Sequence, residues 1–202
     1  MIYPQLNIIH LPHRIDREEL FMRELSEQGI ATYKIWPGIM HDQISFVGIG
    51  AAHKQIVRYA KTQGFPKVLI AEDDLRFTCK TSFQYFLDNE PEDYDIYLAS
   101  IYMGKLNDDN TVDDFSGLTL YMVNERYYQR FLDTPILDHV DRAQAENDPD
   151  FPGIRRPRGK FVVCNPFACI QWTTYSENHK CIMPHNGWLD GRRLYNDKNL
   201  VK

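Results

Sequence analysis

Residues 68–74 read Val68-Leu69-Ile70-Ala71-Glu72-Asp73-Asp74, four apolar side chains in a row stopped by three acids. An apolar run without polar alternation suits a strand covered on both faces, since each face then meets protein rather than water. The segment before it is helical in period: Ile49, Ala52, Ile56, Val57 and Ala60 share one face, and Gly64 and Pro66 stop the helix. Working back to the start, Leu6 to Leu11 reads as a buried strand. A helix follows, with Asp16 as its cap, Glu19 in capping-box position, Leu20, Phe21 and Leu25 on its apolar side and Gly29 at its end. A strand at Tyr33 to Trp36, a helix at Ser82 to Leu87 and a strand at Asp95 to Ala99 continue the alternation. The pattern predicts an α/β fold, a mostly parallel sheet flanked by helices.

The second half is less regular. Met103 to Asp114 is a polar stretch that reads as a loop, and Leu118 to Val123 as a strand. Asn124 is placed to cap a helix carrying Tyr127, Tyr128, Phe131 and Leu132. Glu146 to Lys160 reads as a long loop holding Arg155, Arg156, Arg158 and Lys160. A strand at Phe161 to Cys164 and a sparse tail complete the chain.

At 202 residues, 43% hydrophobic and 25% charged, the chain suits one domain, read here as halves 1–100 and 101–202. A net charge of −5 argues against nucleic acid as a partner. No apolar run is long enough for a membrane span and no secretory signal opens the chain, so a cytoplasmic protein is expected, with peripheral membrane association left open. Cys79, Cys164, Cys169 and Cys181 read as buried free thiols. A zinc site with His179 is the rival, disfavoured because Cys164 and Cys169 are five apart and would face opposite sides of one strand.

The chemistry concentrates at three places. Ligands of parallel sheets bind beyond the carboxyl ends of strands, where Glu72, Asp73 and Asp74 fall. Three adjacent carboxylates need solvent or a cation to offset their repulsion, and Mn²⁺ or Mg²⁺ takes oxygen ligands while leaving places for phosphates. A solvated strand end is the plainer reading. His13, Arg14 and Arg17 follow the first strand, and arginine forks suit phosphate; a surface helix start is the alternative. His53 lies one position off the apolar stripe, as a half-buried packing residue or a site residue. Together the order describes a metal-assisted nucleotide site.

These residues resemble glycosyltransferase family 25, the lipopolysaccharide and collagen sugar transferases. His10-Leu11-Pro12-His13-Arg14-Ile15-Asp16-Arg17 stands where that family has Asn-Leu-x-x-Arg-x-Asp-Arg. Gly50-Ala51-Ala52-His53 is similar to its Gly…Ser-His helix, and Val68 to Asp74 to its apolar strand ending in Glu-Asp-Asp. Ser116 to Tyr121 resembles its Gly-containing strand, and Pro166, Gln171, Tyr175 and Ser176 its Pro…Gln…Tyr-Ser-Asp ending.

The resemblance implies a GT-A-like, Rossmann-type single domain that moves a sugar from a nucleotide-sugar donor, UDP-linked by family habit, onto a glycan or lipopolysaccharide-type acceptor with inversion. It implies Mn²⁺ or Mg²⁺ held by Glu72 and Asp74. By the same carry-over Asp73, His10, Leu11, Arg14 and Arg17 belong to the donor pocket with His53 beside it, and Asp141, with Asp138 three residues away, supplies the base. Departures at His10, Ala52 and Glu177 motivate the alternative, a protein of the same fold that binds nucleotide sugar or glycan without transfer. A nucleotidyltransferase would want a Gly-rich phosphate loop or a lysine signature after the first strand, and neither is present.

Overall fold

The computed structural model describes residues 5–136, 139–140, 144–147, 155–184 and 193–196. In chain order the elements are β1 (Leu6–His10), α1 (Ile15–Glu27), β2 (Tyr33–Pro37), α2 (Ser45–Gln63), β3 (Lys67–Glu72), β4 (Leu75–Phe77), α3 (Ser82–Asp88) and β5 (Ile96–Leu98). They continue as β6 (Met103–Leu106), β7 (Val112–Ser116), β8 (Leu120–Asn124), α4 (Glu125–Asp133), β9 (Ala145–Asn147) and β10 (Arg155–Pro157). β11 (Phe161–Val163), β12 (Cys169–Gln171), β13 (Tyr175–Ser176) and β14 (Cys181–Ile182) follow.

Six strands form the central sheet in the order β11-β5-β8-β3-β1-β2. β2, β1 and β3 run parallel, as do β5 and β11, while β8 alone is antiparallel to its neighbours β3 and β5. Side-chain alternation sends successive residues of each strand to opposite faces. Val68, Ile70, Ile96, Leu98, Tyr121 and Val123 meet Ile56, Val57 and Ala60 of α2 and Tyr127, Tyr128 and Phe131 of α4. Leu6, Ile8, Leu69, Ala71, Tyr97 and Met122 meet Phe21 and Leu25 of α1 and Phe83 and Phe86 of α3. The result is a three-layer α/β domain of Rossmann type, and the unbroken apolar run of β3 reflects its central place in the sheet.

The helix ends follow from single residues. Gly64 adopts φ 67°, which costs a glycine nothing, and lets the Phe65 N–H close on the Ala60 carbonyl at 3.0 Å. Asn124 Oδ1 accepts from the Arg126 N–H at 3.2 Å and opens α4 as expected. The start of α1 differs from expectation. Arg14, not Asp16, occupies the cap position, without a side-chain cap bond. Asp16 instead accepts both Nε (2.8 Å) and Nη2 (2.7 Å) of Arg14, a buried guanidinium whose demand for acceptors outweighs the capping bond.

Two stretches read as loops are partly paired. Residues 103–114 contain β6 and the start of β7, which pair antiparallel because Val112 and Phe115 drop into the core while Asn110, at φ 62°, makes the turn. Within 146–160, Arg155–Pro157 pairs with Ala145–Asn147. Cys164 and Cys169 are buried, Cys79 is half-buried and Cys181 is exposed, so the expectation of four buried thiols fails at Cys181, which sits on a two-residue surface strand.

Candidate active site

β3 ends at Glu72 and the chain turns at Asp73-Asp74 before entering β4. The turn is clamped from both sides. The Glu72 N–H donates to the Thr119 carbonyl at 2.9 Å, and the Trp172 N–H to the Asp74 carbonyl at 2.7 Å. β4 pairs with β12 so that Leu75 faces Gln171, which brings a distant segment against the acids.

A cleft opens beside this turn. Its lining combines the polar residues Glu72, Asp73, Asp74, Arg17 and Gln171 with Ile9, Leu11, Gly38, Ile39 and Ile49. Tyr102, Gly117, His139 and residues 176–179 close it. The walls depend on two glycines. A Cβ on Gly48 would stand 2.0 Å from the Ile39 carbonyl oxygen, so only glycine lets α2 approach the loop after β2. Gly117, at φ 117°, would place a Cβ 2.9 Å from the Tyr102 ring.

The three acids are not equivalent. Asp73 is buried; its Oδ1 accepts from Arg17 Nη1 at 2.7 Å and its Oδ2 lies 2.9 Å from His10 Nδ1. Burial raises the Asp73 carboxyl, but the His10 hydrogen bond and the Arg17 charge outweigh it and hold the group below its ordinary value. Asp74 Oδ2 lies 3.1 Å from the same Arg17 nitrogen, while its Oδ1 is buried with no hydrogen-bond partner among the described residues. Burial first, and then the charges of Glu72 and Asp73, push the Asp74 carboxyl up to about 8 despite Arg17. Arg17 itself is raised: desolvation lowers it, but Asp74 and Asp73 more than reverse this. One guanidinium thus supplies much of the compensation that three adjacent carboxylates require.

Glu72 is held differently. Gln171 Nε2 donates to its Oε2 at 2.9 Å, and His53 Nε2 lies 3.3 Å from its Oε1. His53 is fully buried, not half-buried, and its Nδ1 lies 2.6 Å from the Tyr121 hydroxyl.

Of the residues singled out from sequence, Leu11, Arg17, His53, Glu72, Asp73 and Asp74 all line this one cleft. His10 is buried behind Asp73. Arg14 is turned away, its donors spent on Asp16 and on the Tyr175 carbonyl at 2.8 Å. Asp138 and Asp141 lie outside the described residues, although their neighbour His139 lines the cleft. Tyr102, His139 and Asn178 escaped the sequence reading. Gly117 was the available pointer to Tyr102, since its backbone conformation makes room for that ring. His139 and Asn178 carry no local signal. Trp172 sits between the guanidinium groups of Arg23 and Arg76, 5.1 and 4.4 Å from its ring centroid.

Among the described residues, no three His, Cys, Asp or Glu side chains are arranged to hold an ion by themselves. The oxygen set nevertheless suits a hard divalent cation in one respect: the carboxylates of Glu72, about one-quarter exposed, and Asp74 both belong to the cleft lining. Mg²⁺ and Mn²⁺ commonly take one or two carboxylates and draw their remaining ligands from water and substrate phosphates.

No known protein family and no curated protein matches the sequence. Among solved structures, HddC from Yersinia pseudotuberculosis complexed with GMP-PN superposes with a TM-score of 0.53 at 14% identity, over 84% of this chain and 93% of that one. A glycosyltransferase involved in glycosylation of the major capsid of PBCV-1 gives 0.45 at 14% identity, over 81% and 82%. A197 from STIV gives 0.47 at 12% identity, over 90% and 94%. The likeness to HddC is one of fold, and it agrees with the α/β architecture, a mostly parallel sheet flanked by helices, expected from the sequence.

Proposed function

We propose that the protein is a glycosyltransferase that uses a nucleotide-sugar donor, UDP-linked, with Mn²⁺ or Mg²⁺, and an acceptor of glycan or lipopolysaccharide type. The observation that carries this reading is the set of acids Glu72, Asp73 and Asp74 that, with Arg17 beside them, line one cleft at a strand's carboxyl end. The resemblance to family 25 rests on the same residues, and the fold is shared with a protein solved with GMP-PN.

The cleft suits such a donor end to end. Leu11, Ile39 and Ile49 would offer apolar contact for a nucleobase, and the acids in the same lining would meet the diphosphate through a cation. Glu72 and Asp74 would hold that cation, which when bound stabilises charge on the departing diphosphate. Arg17 keeps Asp73 and Asp74 from repelling each other, and from its position beside them it would offer a fixed positive charge to the phosphates of a bound donor. An inverting reaction needs a base on the acceptor side, assigned here to Asp141 with Asp138 as the nearby alternative.

The test is turnover. UDP-sugars incubated with the protein and Mn²⁺ should release UDP slowly without acceptor and faster when a suitable glycan is added. Binding of UDP-sugar with no release under any acceptor or metal condition would favour a non-transferring binder and overturn the enzyme reading.

A further inference from the structure

The geometry points to a positioning relay in which Tyr121 and His53 set the orientation of Glu72, with Gln171 holding its second oxygen. The inference rests on the donor-site reading given above, and it concerns how Tyr121, which does not line the cleft, acts through His53 on Glu72, with Gln171 on the other oxygen.

Three elements converge on one carboxylate. His53 comes from α2, Tyr121 from β8 and Gln171 from β12, and Glu72 ends β3 between them. Tyr121 faces Ile70 across the β3–β8 pair, so its ring rises on the same face as α2 and reaches His53 there. An ionised carboxylate only accepts hydrogen bonds, so the 3.3 Å contact from His53 Nε2 to Glu72 Oε1 needs a proton on Nε2. A neutral imidazole then has an unprotonated Nδ1, which accepts the Tyr121 hydroxyl at 2.6 Å. The phenol thereby selects the tautomer. Burial supports this direction, because the Tyr121 phenol is pushed well above its ordinary value and stays a donor.

Gln171 completes the restraint. Its amide donates to Oε2 at 2.9 Å while His53 approaches Oε1, so both oxygens of Glu72 are directed by side chains from separate elements. Glu72 alone is a flexible side chain about one-quarter exposed, and free rotation would disperse its oxygens among several rotamers. Held from behind, it presents one fixed face to the cleft. Tyr121, outside the cleft lining, is an outer partner that orients a ligating group without touching the bound species. His53 therefore acts through Glu72, as a positioning residue.

The experiment has two readouts on the full chain. Side-chain ¹⁵N NMR of His53 reads the tautomer directly, without metal or nucleotide. The expected spectrum is a neutral ring protonated at Nε2, changing in Tyr121→Phe; a ring protonated at Nδ1, or at both nitrogens at neutral pH, overturns the relay. Calorimetry of UDP with Mn²⁺ then compares the wild type with Tyr121→Phe and Gln171→Met, each checked for an intact thermal transition. Each variant is expected to bind about 10-fold to 100-fold more weakly. Two folded variants that bind as the wild type does overturn the positioning role while leaving the donor-site reading standing. A wild type that binds no UDP with any metal overturns the donor-site reading and the positioning role with it, whatever the tautomer.

Discussion

Arg17 donates to Asp73 through Nη1 at 2.7 Å, across 56 residues of sequence, and the same nitrogen lies 3.1 Å from Asp74. The basic turn after β1 and the acid turn after β3, read separately in the sequence, are one electrostatic unit. Removing the guanidinium should leave buried carboxylates without their cation. Arg17→Met, which keeps the apolar stem, is expected to lose about 3–5 kcal/mol in urea denaturation. Arg17→Lys, which keeps the positive charge and loses the second donor to the Tyr175 carbonyl, should lose less. A Met variant as stable as the wild type would mean that the pair is incidental.

Asp74 has the opposite bias. Its Oδ1 is buried and unpartnered among the described residues, so the charged form is unfavourable in the ligand-free fold. Asp74→Asn, isosteric and neutral, is expected to raise the melting temperature in EDTA while abolishing UDP binding in Mn²⁺. Such a trade marks a residue kept for its chemistry rather than for stability. A variant that melts earlier than the wild type would contradict this account of the burial.

Glu24 provides a pH test away from the cleft. Its buried carboxylate accepts from the Phe77 N–H at 2.9 Å, and burial raises it above its ordinary value. In strong acid the folded and unfolded chains are both protonated there, and no penalty arises. As pH rises past the unfolded value of about 4.3, the unfolded chain ionises first and stability falls until the folded carboxyl ionises too. Glu24→Gln keeps an acceptor for Phe77 and lacks the charge. Its stability advantage over the wild type should grow from near zero at low pH to a plateau at neutral pH, read from denaturant midpoints. An advantage that shrinks with rising pH would refute the sign.

The thiols separate by burial. Burial pushes Cys164 and Cys169 up to about 12, so neither offers appreciable thiolate at neutral pH. Colorimetric titration of the native protein should count Cys181 at once and Cys79 more slowly, with the other two reacting only in denaturant. Rapid reaction of all four without denaturant would contradict the packing around β11 and β12.

Much of this architecture is legible in the residues because the decisive patterns are local. Val68 to Ala71 is apolar without interruption because β3 sits in mid-sheet, and α2 declares itself through its spacing and Gly64. The hairpin of β6 and β7 is hidden because Val112, Phe115 and, partly buried, Leu106 are what its described side chains give to the core, too few in a polar stretch to set a period. Asp16 was misread as a cap because a cap and a salt-bridge partner look alike in sequence; only the fold reveals that Arg14 is buried beside it. In the site, the acids are legible as a cluster, but their inequality is not. It depends on Arg17 and His10 reaching Asp73 and on neither reaching the second oxygen of Asp74. Tyr121 and Gln171 are brought to Glu72 by strand pairing alone, which no spacing along the chain encodes.

The central claim is a metal-dependent nucleotide site at the end of β3. Titration calorimetry of UDP against the wild type, with Mn²⁺ and with EDTA, and against Asp74→Ala with Mn²⁺, addresses it directly. The account predicts saturable binding by the wild type in Mn²⁺, with binding at least tenfold weaker in EDTA and in the variant. Binding of equal strength in all three cases would contradict the role of Asp74 and the metal, and absence of binding in every case would contradict the UDP site itself.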